Sequence, residues 1–192
     1  MTVILAQLIK SWTPRLFGLV LVPLLCSTSV AEAAPEHGKN YKDWKISCEE
    51  YKDPKGAKKR QCHMFQAIDL KNDKLDISLE SPKEGSLRLL TFQIAYNKAK
   101  PEHPIAIMTT PLGTSLRPGL SLKIDDGKEL KLPFERCLNV GCRVGFLLDG
   151  TLVSEMRKGK KGQIVFYDMR GKGISLPVSL SGFTAALRSL KE

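Results

Sequence analysis

The sequence predicts an all-β, mainly antiparallel single domain: a β-sandwich or an open barrel carrying a short C-terminal helix. Three observations lead there. Short apolar-alternating runs recur along the chain, broken by 15 glycines and 11 prolines in 192 residues. Only two segments have helical spacing, and both are short. Setting aside residues 1–33 leaves 159 residues, one domain's worth, enough to bury roughly 70% of the unfolded surface. Periodicity alone does not separate a sandwich from an open barrel, so both stand.

The opening segment has its own logic. Lys10 and Arg15 precede an apolar run from Leu16 to Leu25, and Ala31-Glu32-Ala33 supplies a small-x-small site, the pattern of a cleaved secretory signal over residues 1–33. Lys10, Trp12, Pro14 and Arg15 interrupt the apolar pattern, which never approaches the roughly 20 residues that span a bilayer. Bulky Leu25 before Cys26 argues against lipidation, so that sulfur is expected to leave with the signal. Residues 34–43, polar and containing Pro35 and Gly38, are expected to form a disordered tail, with the β domain over 44–192.

Strands are then expected at Trp44 to Cys48, Cys62 to Leu70, Leu75 to Glu80, Leu87 to Tyr96 and Ile105 to Thr109. Leu90, Phe92, Ile94 and Tyr96 give the clearest period of two. Leu120, Leu122 and Ile124 continue the alternation into Asp125-Asp126-Gly127-Lys128, a turn signal that predicts a hairpin with Lys131 to Glu135. Cys142 to Leu148 and Gln163 to Met169 follow, and Ile174 to Val178 is assigned to an edge because Pro177 lacks an N–H. Gly150 to Arg157 is expected to be a short helix capped by Asp149, with Leu152, Val153 and Met156 inward. Phe183, Ala186, Leu187 and Leu190 space a closing helix after a serine cap at Ser181.

Cysteine usage follows from the compartment that a signal implies. Cys48, Cys62, Cys137 and Cys142 form an even set with three possible pairings. Local pairing is preferred: Cys48 with Cys62 across a lysine-rich turn containing Asp53-Pro54-Lys55-Gly56, and Cys137 with Cys142 across a turn containing Asn139-Val140-Gly141. Metal ligation fits less well, since neither a C-x2-C pair nor a second well-placed histidine accompanies His63, and an oxidising destination favours disulfides. A redox site would need C-x-x-C at a helix start, which the sequence lacks.

Charge is the other clue. Losing Lys10, Arg15 and Glu32 with the signal leaves 28 basic against 19 acidic residues, a net +9. Two clusters carry much of it: Lys52, Lys55, Lys58, Lys59 and Arg60, then Arg157, Lys158, Lys160 and Lys161. Export makes nucleic acid an improbable target, which points these clusters toward polyanions such as acidic lipid, lipopolysaccharide phosphate or host glycan. Their plainer role is to solubilise two exposed loops.

Nothing in the sequence points to catalysis, and no cofactor is expected. His37, His63 and His103 are scattered, no G-x-S-x-G elbow places a serine nucleophile, and no P-loop or dinucleotide fingerprint occurs. Asp125-Asp126 reads as a turn rather than as paired acids or calcium ligands.

An ordered series of blocks carries a family resemblance. Leu112-Gly113, then Pro118-Gly119-Leu120-Ser121-Leu122-Lys123-Ile124-Asp125, then Pro133-Phe134 before Cys137 and Gly141-Cys142, then Pro177-Val178-Ser179-Leu180-Ser181-Gly182-Phe183 resemble the invasion-associated locus B family, from about Trp44 to Leu190. The resemblance implies an exported Gram-negative envelope protein associated with invasion of host cells, and it brings no established catalytic residue. The expectation is therefore a non-enzymatic protein, periplasmic, outer-membrane associated or surface-exposed, that binds a host-cell or envelope protein, glycan or acidic lipid. The alternative is a periplasmic maintenance or stress factor acting on envelope proteins or lipopolysaccharide.

Overall fold

The computed structural model describes residues 34–97 and 100–191, so the expected signal segment lies outside the described residues. Two antiparallel sheets face each other. The larger runs β1 (Asn40–Tyr41), β2 (Trp44–Lys52), β3 (Lys58–Lys71), β5 (Leu87–Asn97), β6 (Lys100–Thr110), β11 (Gly141–Leu147) and β10 (Arg136–Leu138), with β4 (Lys74–Ser78) also on β3. The smaller runs β13 (Gly173–Ser179), β12 (Lys161–Asp168), β8 (Leu120–Ile124) and β9 (Leu130–Leu132), with β7 (Thr114–Ser115) also on β12. Among the described residues neither sheet closes on itself, as expected of a sandwich or open barrel.

Period-two patterning explains which side chains meet. Leu90, Phe92 and Ile94 are buried while Thr91 and Gln93 between them are half-buried on the outer face. The smaller sheet answers with Leu120, Leu122, Ile164, Phe166, Leu176 and Val178. Trp44 sits between the layers, edge-on to Phe92 at 5.5 Å and to Phe183 at 5.8 Å. Its indole N–H donates to the Ser179 carbonyl at 3.1 Å. Fully buried Gln66 also spans the layers, donating to Ser179 O at 2.7 Å and accepting from Ser179 N–H at 3.0 Å. An amide buried this way is tolerable only because both of its ends are satisfied.

Several expectations hold in detail. β8 and β9 pair as a hairpin, and β13 with Pro177 is an edge strand. Helix α1 (Gly150–Lys158) is capped by Asp149, whose carboxylate accepts from Leu152 N–H at 2.7 Å.

Four details are corrected. Residues 34–43 are not a loose tail: Pro35 is buried, Gly38 N–H donates to Ile46 O at 2.8 Å, and Asn40–Tyr41 pairs with β2. The unpaired edge of β2 needs hydrogen-bond partners, and this polar segment supplies them. The strand expected to end at Glu80 stops at Ser78, and residues 79–82 turn across the outer face. The strand expected over 131–135 ends at Leu132, because Pro133 cannot donate to the ladder; pairing resumes in β10. Finally, α2 (Phe183–Ser189) is not capped by Ser181: Gly182 is its N-cap residue, in the left-handed region with φ +88°, and no side chain caps it.

Candidate functional site

Both local disulfides form. Cys48 and Cys62 are directly opposed in the β2–β3 register, with Cα atoms 4.0 Å apart. They occupy a non-hydrogen-bonded pair, since Cys48 N–H is turned away to His37 Nδ1 at 3.0 Å, and such pairs bring Cα atoms closest. Beyond the bridge the tip is organised by Asp53, whose Oδ1 accepts from Lys55 and Ala57 N–H, both at 2.9 Å. Cys137 and Cys142 are opposed in β10–β11. Gly141, at φ +136°, lets that hairpin lie against the Thr110 backbone, where a side chain would collide.

The first basic cluster does not present one face. Lys58 lies opposite Lys52, Lys59 opposite Tyr51 and Arg60 opposite Glu50, so alternation sends Lys58 and Arg60 to one side and Lys59 to the other. All of them, and Lys55 at the tip, are exposed.

The second cluster is likewise divided. Arg157 and Lys158 occupy the last turn of α1, where cations complement the helix dipole. They line a cavity of about 440 Å3 together with Tyr96, His103 and Lys191. Lys191 Nζ lies 5.5 Å from the Tyr96 ring centroid, and burial raises the Tyr96 pKa while Arg157 pulls it back down. Sequence reasoning missed Lys191, Tyr96 and His103 here, because only the fold brings three distant segments to α1. The backbone N–H groups of Lys160 and Lys161 donate to the two oxygens of the Asp125 carboxylate, both at 3.0 Å. Those bonds hold Asp125 below the usual carboxylate pKa, so the Asp125-Asp126 turn also anchors the start of β12.

The far ends of the two clusters lie well apart, although Arg157 and Lys158 share the Tyr96 cavity and the Tyr96 carbonyl accepts from the side-chain amide of Gln61, the neighbour of Arg60. Lys161 lies opposite Ser179, which contacts Trp44 at the start of β2. The cationic hairpin tip begins at Lys52, eight residues further along that strand, or about 26 Å at the rise of an extended chain.

His37 and His63, far apart in the sequence, come together on the outer face of the larger sheet. They line a groove of about 510 Å3 with Lys45, Glu49, Phe65 and Arg88. Arg88 is fixed by a two-pronged bond to buried Asp69, at 2.6 and 3.1 Å. Burial lowers the His63 pKa, Glu49 opposes that shift and His37 adds to it. A histidine whose folded pKa lies below its unfolded value of 6.5 binds its proton more readily in the unfolded chain. Its contribution is therefore complete above about pH 6.5 and is lost as pH falls through the lower folded value. Unfolding midpoints should drop more between pH 7 and 5 for the natural protein than for His63→Gln; parallel curves would remove His63 as the cause. Among the described residues no three His, Cys, Asp or Glu side chains are grouped to hold one metal ion.

With this geometry in place, comparison with known proteins decides the family. The family model described as "Invasion associated locus B (IalB) protein" matches residues 44–191. The chain belongs to the invasion associated locus B family. Curated relatives include an invasion protein B homolog of Brucella abortus strain 2308, 27% identical over 148 residues, 77% of this chain and 75% of that protein. A homolog from Brucella abortus biovar 1 strain 9-941 matches with the same figures. The crystal structure of invasion associated protein B from Bartonella henselae superposes with a TM-score of 0.60 at 20% identity, covering 79% of this chain and 94% of that one. The locus B match begins at Trp44, the residue that joins the two sheets, and contains both disulfides and both basic clusters.

Proposed function

We propose that this invasion-associated protein is exported to the cell envelope and acts by binding a host or envelope component rather than by catalysis. The observation that carries the reading is the family match across residues 44–191, with curated relatives named as invasion protein B homologs. Two disulfides fit an oxidising compartment outside the cytoplasm. The signal pattern in residues 1–33 supports the same destination. Exposed Lys55, Lys58, Lys59 and Arg60, with Arg157, Lys158, Lys160 and Lys161, are the candidate polyanion contacts under this reading.

Protease accessibility of the native protein on intact bacteria tests it, with lysed cells and a known periplasmic protein as controls. Digestion on intact cells is the result expected of a host-contact protein. Protection until lysis would replace that role with periplasmic maintenance and make invasion an indirect effect.

A further inference from the structure

Among the described residues the three most exposed large hydrophobic side chains are Val140 at 82%, Met169 at 81% and Leu112 at 61%, and they stand on neighbouring turns at one end of the two sheets. Thr110, the last residue of β6, is the hub. Its cross-strand partner is Cys142, and Gly141 lies against its carbonyl, which places the Cys137–Cys142 hairpin tip beside it. Its hydroxyl accepts from Thr114 Oγ1 at 2.9 Å, which fixes the loop carrying Leu112. Thr114 and Ser115 in turn pair with Asp168 and Tyr167, at the turn that presents Met169. A side chain at Gly113 would touch Met169 Cε, so the second and third loops are in contact.

Single exposed apolar residues are ordinary, but a set gathered on rigid loops calls for a partner. All three loops are held. The hairpin tip is closed by its disulfide, the Leu112 loop by Thr114, and the Met169 turn by Asp168, whose Oδ1 accepts from Arg170 and Lys172 N–H at 2.9 and 2.8 Å. The flanking charge has one sign. Arg117, Arg136, Arg170 and Lys172 are all exposed, and among the described residues none of them forms an ion pair. The nearby acids are engaged: Glu135 lies 3.7 Å from Arg143, and Asp168 holds its own turn.

We propose that this pole is a membrane-docking surface that places Leu112, Val140 and Met169 among lipid acyl chains and the four flanking cations on anionic headgroups. The inference rests on the reading of this protein as a binding protein of the envelope, and it uses a surface separate from both lysine clusters. Apolar side chains on projecting turns, ringed by unpaired cations, match the interfacial layer of a bilayer: each apolar group gains by burial and each cation by the surface potential. A protein groove is the less fitting occupant, because the apolar groups stand on three separate turns rather than along one ridge.

The test is co-sedimentation of the disulfide-intact mature protein with vesicles of phosphatidylcholine alone and of phosphatidylcholine mixed with phosphatidylglycerol. Binding to the mixed vesicles is expected. The triple variant Leu112→Ser, Val140→Ser, Met169→Ser should weaken it about tenfold or more. Changing Arg117, Arg136, Arg170 and Lys172 to Gln should cost about fivefold per cation and erase the preference for anionic vesicles. Circular dichroism and unfolding midpoints check that both variants are folded, and Val140→Ser alone should still weaken binding measurably. Equal binding by the folded triple variant, or no binding of the natural protein to either vesicle, would overturn the proposal. If the same variants lost attachment to protease-sensitive sites on host cells without any vesicle binding, the pole would be a protein contact. That outcome would reject the membrane while leaving the binding role standing.

Discussion

Replacing Trp44 with alanine should lower the unfolding free energy by about 3–5 kcal/mol, the range for deleting a buried large aromatic side chain. The indole is fully buried and meets Phe92 from the larger sheet and Phe183 from α2 edge-on. It also donates to Ser179 at the end of β13, so one side chain ties together the larger sheet, the smaller sheet and α2. Against a typical total of about 5–15 kcal/mol this is a large fraction. Trp44→Phe keeps most of the apolar contact and loses the N–H donor, for which about 1 kcal/mol is expected. Denaturant unfolding under oxidising conditions measures both; a Trp44→Ala loss below that of Trp44→Phe would mean that the packing described here contributes little.

The second large effect is expected at Gly182. Its φ of +88° disfavours any residue with a Cβ by about 1–2 kcal/mol, and a Cβ here would also run into the Tyr41 carbonyl. Gly171 is the built-in control, because its φ is +77° but nothing lies within 4 Å of the added carbon. Gly171→Ala should therefore cost about 1–2 kcal/mol, while Gly182→Ala should cost several, on the order of 3 kcal/mol or more. The excess must come from pushing β1 away from α2, so amide exchange at Asn40 and Tyr41 should accelerate in Gly182→Ala alone. Equal destabilisation of the two variants would show that β1 yields without cost.

How far the sequence could be read depended on the range of the forces involved. The alternation through Leu90, Phe92 and Ile94, the Asp149 cap and the Asp125-Asp126-Gly127 turn are local signals, each complete within a few residues, and each appears where the sequence placed it. The local cysteine pairings belong with them, since each bridge joins neighbours across one hairpin. Residues 34–43 read as loose because much of what holds them is hydrogen bonding to partners distant in sequence, on β2 and around Ser179, which leaves no trace in apolar spacing. The serine cap at Ser181 was displaced by one residue because Tyr41 crowds the chain there and only glycine fits. Two basic clusters were visible as composition, but strand alternation splits the first between two faces, and the second is shared between the end of α1 and the Asp125-anchored start of β12, in ways that a linear count cannot express. The pole formed by Leu112, Val140 and Met169 was invisible, because it is assembled at Thr110 from segments up to 57 residues apart in sequence.

The contacts of Ser179 also set an order of events during synthesis. Gln66, Trp44 and Asp43 all bond to Ser179, at sequence separations of 113, 135 and 136 residues. Until that residue emerges, the first strands hold a buried-type amide and an indole N–H with no partner, and the larger sheet has no opposite layer. Such distant closure is slow and comes late. A nascent chain of this protein should therefore stay open until Ser179 has emerged, then lock as β13 and α2 arrive together.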